Sequence, residues 1–239
     1  MAIQLALEHG GRVARVSYDN ARRGNCFDLG LLTSLVDTLE SAASDKSCSV
    51  VRLEMAGKNF CGGWDTASFG DLAAAGVDAV AASLAESDRA LDRIRTLPVP
   101  VVAAVRGQVI GFGAGLLAAV HLPVAAGDVR LSLPEVRHGF APAGVGHTIA
   151  QALPRAQAYS LLSGSSASAQ QLLGWGLVTR VVSGASLDAE VDDLVAALAA
   201  VPGDALRGVV GVVESSRATG RPDEAYLISA RSIVEGTDR

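Results

Sequence analysis

Apolar and polar residues alternate at the start of the chain and then change to helical spacing. The segment IQLALEHGGRVARVSYD has two alternating runs on either side of HGG, which predicts a β-hairpin. DLGLLTSLVDTLESAAS has helical periodicity, and the following CSVVRLEM has the short apolar run of a buried strand. A second helix is predicted from Val77 to Leu97, and Pro98 and Pro100 then direct the strand VVAAV.

The remaining sequence continues this alternation and ends in helices. LPVAAGDVRLSL predicts a further short strand region and VTRVVS a last strand, whereas the other segments have helical patterns. Strands that alternate with helices are typical of an α/β layered sheet with right-handed crossovers. We therefore predict an α/β core over residues 1–185 and a C-terminal helical region over residues 186–239.

Composition and charge narrow the class of protein. Of the 239 residues, 49% are hydrophobic and 19% charged, as in a globular protein with a full core. The net charge of −5 and the absence of a Lys/Arg block argue against nucleic acid as a partner. Cys26, Cys48 and Cys61 form no CxxC pair, which indicates a reducing compartment and argues against a disulfide framework or a zinc site.

Targeting and membrane signals are also absent from the sequence. The N-terminal segment MAIQLALEHGGR lacks a basic stretch followed by a long apolar run, so we expect no signal peptide. Glycine, proline or charged residues interrupt the Ala/Val stretches before they reach bilayer-spanning length. We expect a cytoplasmic protein with no membrane partner.

The glycine-rich stretch GQVIGFGAGLLAAV, residues 107–120, follows the strand VVAAV. A dinucleotide-binding turn needs glycine at its first, third and sixth positions, and an acidic residue about 20 residues further on. Counted from Gly111, the third position is Gly113 but the sixth is Leu116, and only Asp128 lies at a tolerable distance. A nicotinamide site is therefore disfavoured. Close helix packing and a backbone exposed to another ligand both remain open.

A second glycine-rich turn, FCGGWD, follows the strand CSVVRLEM. Two loops that each leave a core strand and each precede a helix can direct backbone N–H groups at one point. Such converging donors stabilise an anion and form an oxyanion hole. The sequence contains no GxSxG, GKS/T, HExxH or EF-hand pattern that would indicate a different chemistry.

Five motifs follow one another along most of the chain: GNCFDLGLL, GKNFCGGWD, PVPVVAAVRGQVIGFGAG, LSLPEVRHGFAPAGVG and SASAQQLLGWGLVTRVV. In order and spacing they resemble the motifs of the crotonase superfamily, also called the enoyl-CoA hydratase/isomerase family. The resemblance implies the crotonase (ClpP/crotonase-like) α/β fold, with a ββα spiral core. It also implies that the C-terminal helices cover the site or mediate oligomerisation.

The resemblance implies two backbone donors that stabilise the enolate oxygen of an acyl-CoA thioester. One is the N–H of Trp64 in the first loop, and the other is the N–H of Phe112 in the glycine turn. Phe112 replaces the middle glycine of the family, but any residue except proline retains a backbone donor. The neighbouring residues that we expect to bind the substrate are Gly63, Asp65, Gly111, Gly113 and Gly115.

The acid–base groups depart from the pattern of typical hydratases of the family. These carry one glutamate two residues after the third glycine of the turn, where this chain has Gly115, and a second in the P-E pair, retained here as Glu135. Hydration usually employs both carboxylates, whereas one carboxylate suffices to move a proton from C2 to C4 of an enoyl thioester. Gly115 therefore favours isomerisation over hydration. Without the resemblance, Glu135 would also be compatible with a solvated loop carboxylate.

Other side chains near these motifs have more than one interpretation. His138 or His147 could supply the missing acid–base group, since histidine titrates near neutral pH, or either could be a structural histidine. The segment HGFAPAGVG holds no acidic residue, which disfavours the dehalogenases and hydrolases of the family. The rings of Trp64 and Phe112 could narrow the acyl pocket, stack on an unsaturated or aromatic acyl group, or pack in the core.

The expected ligand is an acyl-CoA, with CoA as part of the substrate and with no other cofactor and no metal. Arg23 is predicted to contact CoA because guanidinium groups suit phosphate, although an exposed loop arginine is the alternative. The resemblance implies a homotrimer or a hexamer built as a dimer of trimers. The alternative function is an auxiliary or catalytically silent acyl-CoA-binding protein in a secondary-metabolite pathway.

Overall fold

The computed structural model describes residues 2–219, 226–228, 230 and 231. The strands are β1 Ala2–Glu8, β2 Val13–Asp19, β3 Val50–Met55, β4 Val101–Val105, β5 Gln108–Ile110, β6 Leu122–Ala126, β7 Arg130–Ser132, β8 Ser166–Ser168 and β9 Arg180–Val182. The α-helices are α1 Leu29–Ser44, α2 Phe69–Ala74, α3 Val77–Arg95, α4 Phe112–Ala119, α5 Ala143–Ala152, α6 Arg155–Leu162, α7 Ala169–Gly174, α8 Leu187–Ala199 and α9 Gly203–Thr219. Short 3-10 turns lie at His9–Gly11, Ala21–Arg23, Thr66–Ser68 and Pro134–His138.

A sheet with the strand order β1-β2-β3-β4-β6-β9 forms the centre of the fold. The predicted hairpin is confirmed, because β1 and β2 pair antiparallel from Ala2 opposite Asp19 to Glu8 opposite Val13. The later neighbours pair in parallel. In chain order α1 lies between β2 and β3, and α3 lies between β3 and β4, as the predicted alternation requires.

A smaller sheet in the order β5-β7-β8 is a feature that the sequence pattern did not predict. The strand region predicted over LPVAAGDVRLSL divides between the two sheets. Its first part, β6, joins the central sheet, and its second part, β7, pairs with β5 and β8. The chain turns between them at Gly127 and Asp128, where the amide of Val129 donates to the carbonyl of Ala126 (3.1 Å).

Apolar layers cover both faces of the central sheet. One layer includes buried residues of α1, α3 and α4. On the other face, α8 packs Leu187, Val191, Val195 and Ala199, at helical spacing, against β3, β4 and β6. The first helix of the predicted C-terminal region therefore belongs to the layered core. The boundary at residue 186 stays a prediction, and part of that region lies outside the described residues.

The described ranges contain neither a single helix suited to span a membrane nor a cluster of metal-binding side chains. No single helix there is both long enough and apolar enough to cross a bilayer, and α8 and α9 would pass only as a pair that bends by 105°. The same residues contain no cluster of three or more His, Cys, Asp or Glu side chains that could hold a metal ion.

His121 is a partly buried histidine that joins the ends of two elements. Its Nδ1 accepts a hydrogen bond from the amide of Val101 (3.0 Å), so Nε2 carries the proton and donates to the carbonyl of Arg95 (2.9 Å). Burial lowers the pKa of His121, although the Arg95 carbonyl and the charge of Glu214 act in the opposite direction. The folded state therefore favours the neutral imidazole.

We predict that the free energy of unfolding decreases as the pH falls through about 6.5, the ordinary pKa of histidine. The unfolded chain binds a proton in this pH range, whereas folded His121 does not, because burial lowers its pKa. Stability that is present above this pH is therefore lost below it. Urea denaturation at several pH values measures the slope. His121→Asn should reduce the slope, and the same substitution at exposed His147 should leave it unchanged. An equal slope in wild type and His121→Asn would contradict the prediction.

Candidate active site

The two glycine-rich loops lie side by side and are joined by backbone hydrogen bonds. The amide of Cys61 in the first loop donates to the carbonyl of Gln108 (3.2 Å), and the amide of Ile110 donates back to the carbonyl of Cys61 (2.9 Å). A parallel bridge between Cys61 and Val109 results. The loop that follows β3 is thereby attached to the edge of β5.

Close packing at this contact requires glycine. Gly63 has a φ of +99°, and a Cβ at this position would lie 3.0 Å from the carbonyl oxygen of Ile110. At Gly113 a Cβ would lie 2.8 Å from the Cβ of Cys61. A larger residue at either position would push the loops apart. The glycines thus serve close packing and leave the backbone accessible at the same time.

Two backbone amides at this contact have no acceptor among the described residues. Phe27 exchanges hydrogen bonds with Gly63 and Asp65 (3.0 and 2.6 Å), so the amide of Trp64 between them faces away from Phe27. Phe112 is the first residue of α4, where an amide lacks an intrahelical partner. Neither amide donates to another residue in the described part of the chain.

A cavity of about 600 Å³ borders both amides. Both loops, α2, α3, the 3-10 turn Pro134–His138 and the start of α5 contribute to its wall. The wall is mainly apolar, and Glu135 and His138 are the titratable side chains among its described residues. A carboxylate, an imidazole and two unbonded amides therefore share one apolar space, an arrangement that can stabilise an anion and move a proton.

Glu135 lies directly beside the glycine turn. Its Oε1 is 2.7 Å from the place that a Cβ on Gly111 would occupy, so glycine is needed there for space as well as for its φ of +51°. Its Oε2 is buried and has no hydrogen-bond partner among the described residues. Burial raises the pKa of Glu135, and its own backbone amide and the charge of His138 oppose this rise. The carboxylate is thus destabilised, as in an effective base.

A carboxylate side chain in place of Gly115 would require its packed neighbours to move. Gly115 is buried in α4, and a Cβ there would lie 2.6 Å from Cδ1 of Leu91 and 2.8 Å from Cγ1 of Val145. His147 does not replace such a group, since it is exposed on α5, bonds to Gln151 (3.0 Å) and does not line the cavity. Of the two histidine candidates, only His138 lies at the cavity.

Arg23 forms a two-point ion pair with Asp65 (2.8 and 2.9 Å). The side chain of Arg23 is 54% exposed, and that of Asp65 is 18% exposed and also accepts from the amide of Ala67 (3.1 Å). The ion pair therefore links the turn Ala21–Arg23 to the loop that contains Trp64. The predicted contact of Arg23 with CoA stays a prediction.

The structure brings six of the predicted site residues to the cavity wall and leaves four outside it. At the wall are Gly63, Trp64, Gly111, Phe112, Glu135 and His138, and outside it are Arg23, Asp65, Gly113 and Gly115. The sequence reasoning missed Phe69 and Phe140, which also line the cavity. Isolated phenylalanines between small residues, in SFGDLAAAG and HGFAPAG, were the available signal.

The fold and this arrangement agree with a known family. The family model described as Enoyl-CoA hydratase/isomerase matches residues 8–226. The chain belongs to the enoyl-CoA hydratase/isomerase family, the crotonase superfamily, and has the crotonase fold.

Individual relatives agree with this assignment. A Bacillus subtilis (strain 168) protein described as a "Probable enoyl-CoA hydratase" is 32% identical over 205 residues, covering 83% of this chain and 75% of the relative. The mevalonyl-coenzyme A hydratase of Aspergillus fumigatus is 30% identical over 196 residues, covering 80% and 71%. The crystal structure of an enoyl-CoA hydratase from Mycobacterium smegmatis has a TM-score of 0.87 at 25% identity, covering 98% and 90%. The chain thus belongs with proteins that process acyl-CoA thioesters.

We predict that Gly115→Ala lowers the free energy of unfolding by about 1–3 kcal/mol, the usual cost of overpacking a core. Alanine has a higher helix propensity than glycine, but here the added methyl group meets the buried side chains of Leu91 and Val145. Gly174→Ala is the matched control, since Gly174 is also helical and a Cβ there meets nothing within 4 Å. Denaturant unfolding that finds both variants as stable as wild type would contradict the packing at Gly115.

Proposed function

We propose that the protein isomerises the double bond of an enoyl-CoA thioester, with Glu135 as the group that moves the proton. The observation that carries this proposal is that Glu135, with a buried Oε2, is the one carboxylate of the cavity wall among the described residues, together with a glycine at position 115 whose added Cβ would meet Leu91 and Val145. Isomerisation requires one acid–base group, which matches this inventory.

The amides of Trp64 and Phe112 hold the thioester oxygen in this mechanism. When a proton leaves C2 of the substrate, negative charge develops on that oxygen, and two preorganised N–H donors stabilise it. Loss of one such donor in a comparable site costs about a hundred- to a thousandfold in rate. The absence of internal acceptors for these amides, within the described residues, supports this role.

Glu135 carries out both proton transfers. Its carboxylate removes a proton from C2 of a 3-enoyl thioester, and the electron pair of the C–H bond enters the conjugated enolate. The protonated Glu135 then returns the proton to C4, so the double bond moves from C3–C4 to C2–C3 and the enzyme is regenerated. Burial of Glu135, which raises its pKa, supports its use as a base toward carbon.

The proposal extends to the remaining ligand contacts and to the assembly. Arg23, at the loop beside Trp64, is proposed to contact the CoA phosphates while it remains paired with Asp65. CoA then enters as part of the substrate, without a separate cofactor. We further propose a cytoplasmic homotrimer or hexamer, as the family resemblance implies.

Hydration of a 2-enoyl-CoA is the second candidate, favoured by the hydratase names of the two relatives above. In that case His138, which also lines the cavity, would assist Glu135 in activating the water. A catalytically silent acyl-CoA-binding protein is the third candidate, and the glycine at position 115 is the feature that supports it.

Ultraviolet spectroscopy of a 3-enoyl-CoA tests the proposal. We expect the conjugated enoyl-thioester band to grow with wild type, and Glu135→Gln to reduce the rate by about a hundred- to ten-thousandfold. Disappearance of the band from a 2-enoyl-CoA, without isomerisation of the 3-enoyl-CoA, would favour hydration. Tight binding without change in either substrate would favour the silent protein.

The pH dependence of kcat/KM gives a second test of Glu135. We expect activity to rise as Glu135 loses its proton, with a midpoint above the ordinary carboxyl range because burial raises its pKa. The charge of His138 lowers the pKa of Glu135, so His138→Gln should move this limb to higher pH. The same substitution at exposed His147 should not move it. A limb that stays in place in His138→Gln would contradict the assignment.

A further inference from the structure

Aromatic side chains are concentrated at the cavity. The chain has five phenylalanines and two tryptophans, and aromatic residues make up only 4% of its sequence. Three of these phenylalanines and one tryptophan line the cavity: Trp64, Phe69, Phe112 and Phe140. Aliphatic side chains alone could form an apolar pocket without any of these rings. The concentration of aromatic residues at the cavity therefore indicates which kind of ligand the cavity prefers.

The inner rings form a rigid wall next to the two free amides. Trp64 meets Phe112 edge to face, with centroids 5.2 Å apart and planes at 72°. Phe112 in turn contacts Phe27 at 5.6 Å, and Phe27 stacks on Tyr18 at 4.4 Å. Phe27 and Tyr18 are fully buried, so this chain of rings fixes the two inner rings from behind.

The outer rings are exposed at the mouth of the cavity. Phe69 is 37% exposed and Phe140 is 47% exposed, and Leu84 beside them in the wall is 40% exposed. A contiguous apolar surface that faces water costs free energy and is typical of a ligand-binding groove. These rings therefore gain a partner when the cavity is filled.

We propose that the acyl group of the substrate is flat and aromatic, so that the natural substrate class is an aryl-bearing enoyl thioester. This inference rests on the proposed function, because the thioester oxygen at the amides places the acyl chain against the inner rings. All four aromatic residues, Trp64, Phe69, Phe112 and Phe140, belong to the wall against which the acyl group would then lie. Planar ligands gain edge and face contacts with such rings that a puckered or flexible chain does not.

One hydroxyl of the wall already has a hydrogen-bond partner within the protein. The hydroxyl of Ser87 donates to the carbonyl of Ser83 one turn earlier in α3 (2.9 Å) and is thereby satisfied. Glu135 and His138 lie at the reacting end of the cavity in the proposed mechanism. An unsubstituted or weakly polar aromatic ring is the acyl group that these surroundings fit best.

Isothermal titration calorimetry with two saturated, unreactive thioesters tests this inference. Phenylpropanoyl-CoA and cyclohexylpropanoyl-CoA have equal numbers of carbons and rings of similar size, but only the phenyl ring is flat. We expect wild type to bind the phenyl compound about fivefold more tightly, even though the cyclohexyl ring is more apolar. Equal affinity, or tighter binding of the cyclohexyl compound, would overturn the inference.

Variants at the mouth identify the rings that carry the preference. Phe69→Leu and Phe140→Leu replace exposed rings with an aliphatic side chain and leave the amides and Glu135 in place, so we expect each to reduce the phenyl preference about twofold or more. Tyr159→Leu is the matched control, since Tyr159 is an exposed aromatic residue outside the cavity wall. If both variants keep the full preference for the phenyl compound, the outer rings do not cause that preference and their proposed role is wrong.

The two proposals fail in different ways. If neither thioester binds, both the acyl-CoA function and the aryl assignment are wrong. If both bind with equal affinity and a 3-enoyl-CoA is still isomerised, only the aryl assignment is wrong. If the phenyl preference is found but no enoyl-CoA is converted, the aromatic pocket stands and the isomerase proposal fails.

Discussion

The close contact between the two glycine-rich loops is the constraint on which the site depends. Gly63 approaches the carbonyl of Ile110, and Gly113 approaches Cys61, at distances that exclude a Cβ. The first loop follows β3 of the central sheet and the second follows β5 of the smaller sheet, and this contact brings their backbones together at one cavity. The backbone hydrogen bonds between the loops add directional rigidity to what the small residues make sterically possible. The packing of the loops and the geometry of the site therefore depend on the same few atoms.

The packing around Gly115 limits what this position can add to the site. Leu91 and Val145 fill the space beside Gly115, and both belong to the buried apolar cluster between the sheet and the helices. Adding a carboxylate there would require the core to be rebuilt and an unpaired charge to be buried. Among the described residues of the wall, Glu135 and His138 are the titratable groups. The charge of His138 opposes the rise in the pKa of Glu135 that burial causes.

Much of the fold follows from local patterns in the sequence, whereas most side-chain contacts of the site do not. The hairpin, the alternating helices and strands and the glycine turns all leave periodic or compositional signals within one segment. The smaller sheet does not, because β5, β7 and β8 have three residues each and pair only over long distances in the chain. Glu135 could be found through its motif. The pairing of Arg23 with Asp65 could not, since it depends on how separate segments meet, and for Phe69 and Phe140 the sequence offered only their isolation among small residues.

In the proposed mechanism, anion stabilisation and the choice of acyl group depend on different parts of the same two residues. In the proposed mechanism, the groups offered to a developing anion at residues 64 and 112 are peptide N–H bonds, whereas the indole and phenyl rings of the same residues pack edge to face against each other. Natural variation can exchange these rings while the peptide groups persist. In that mechanism, a change in substrate choice needs no change in the groups that stabilise the anion. A search for invariant reactive side chains would find Glu135 but overlook the two backbone donors.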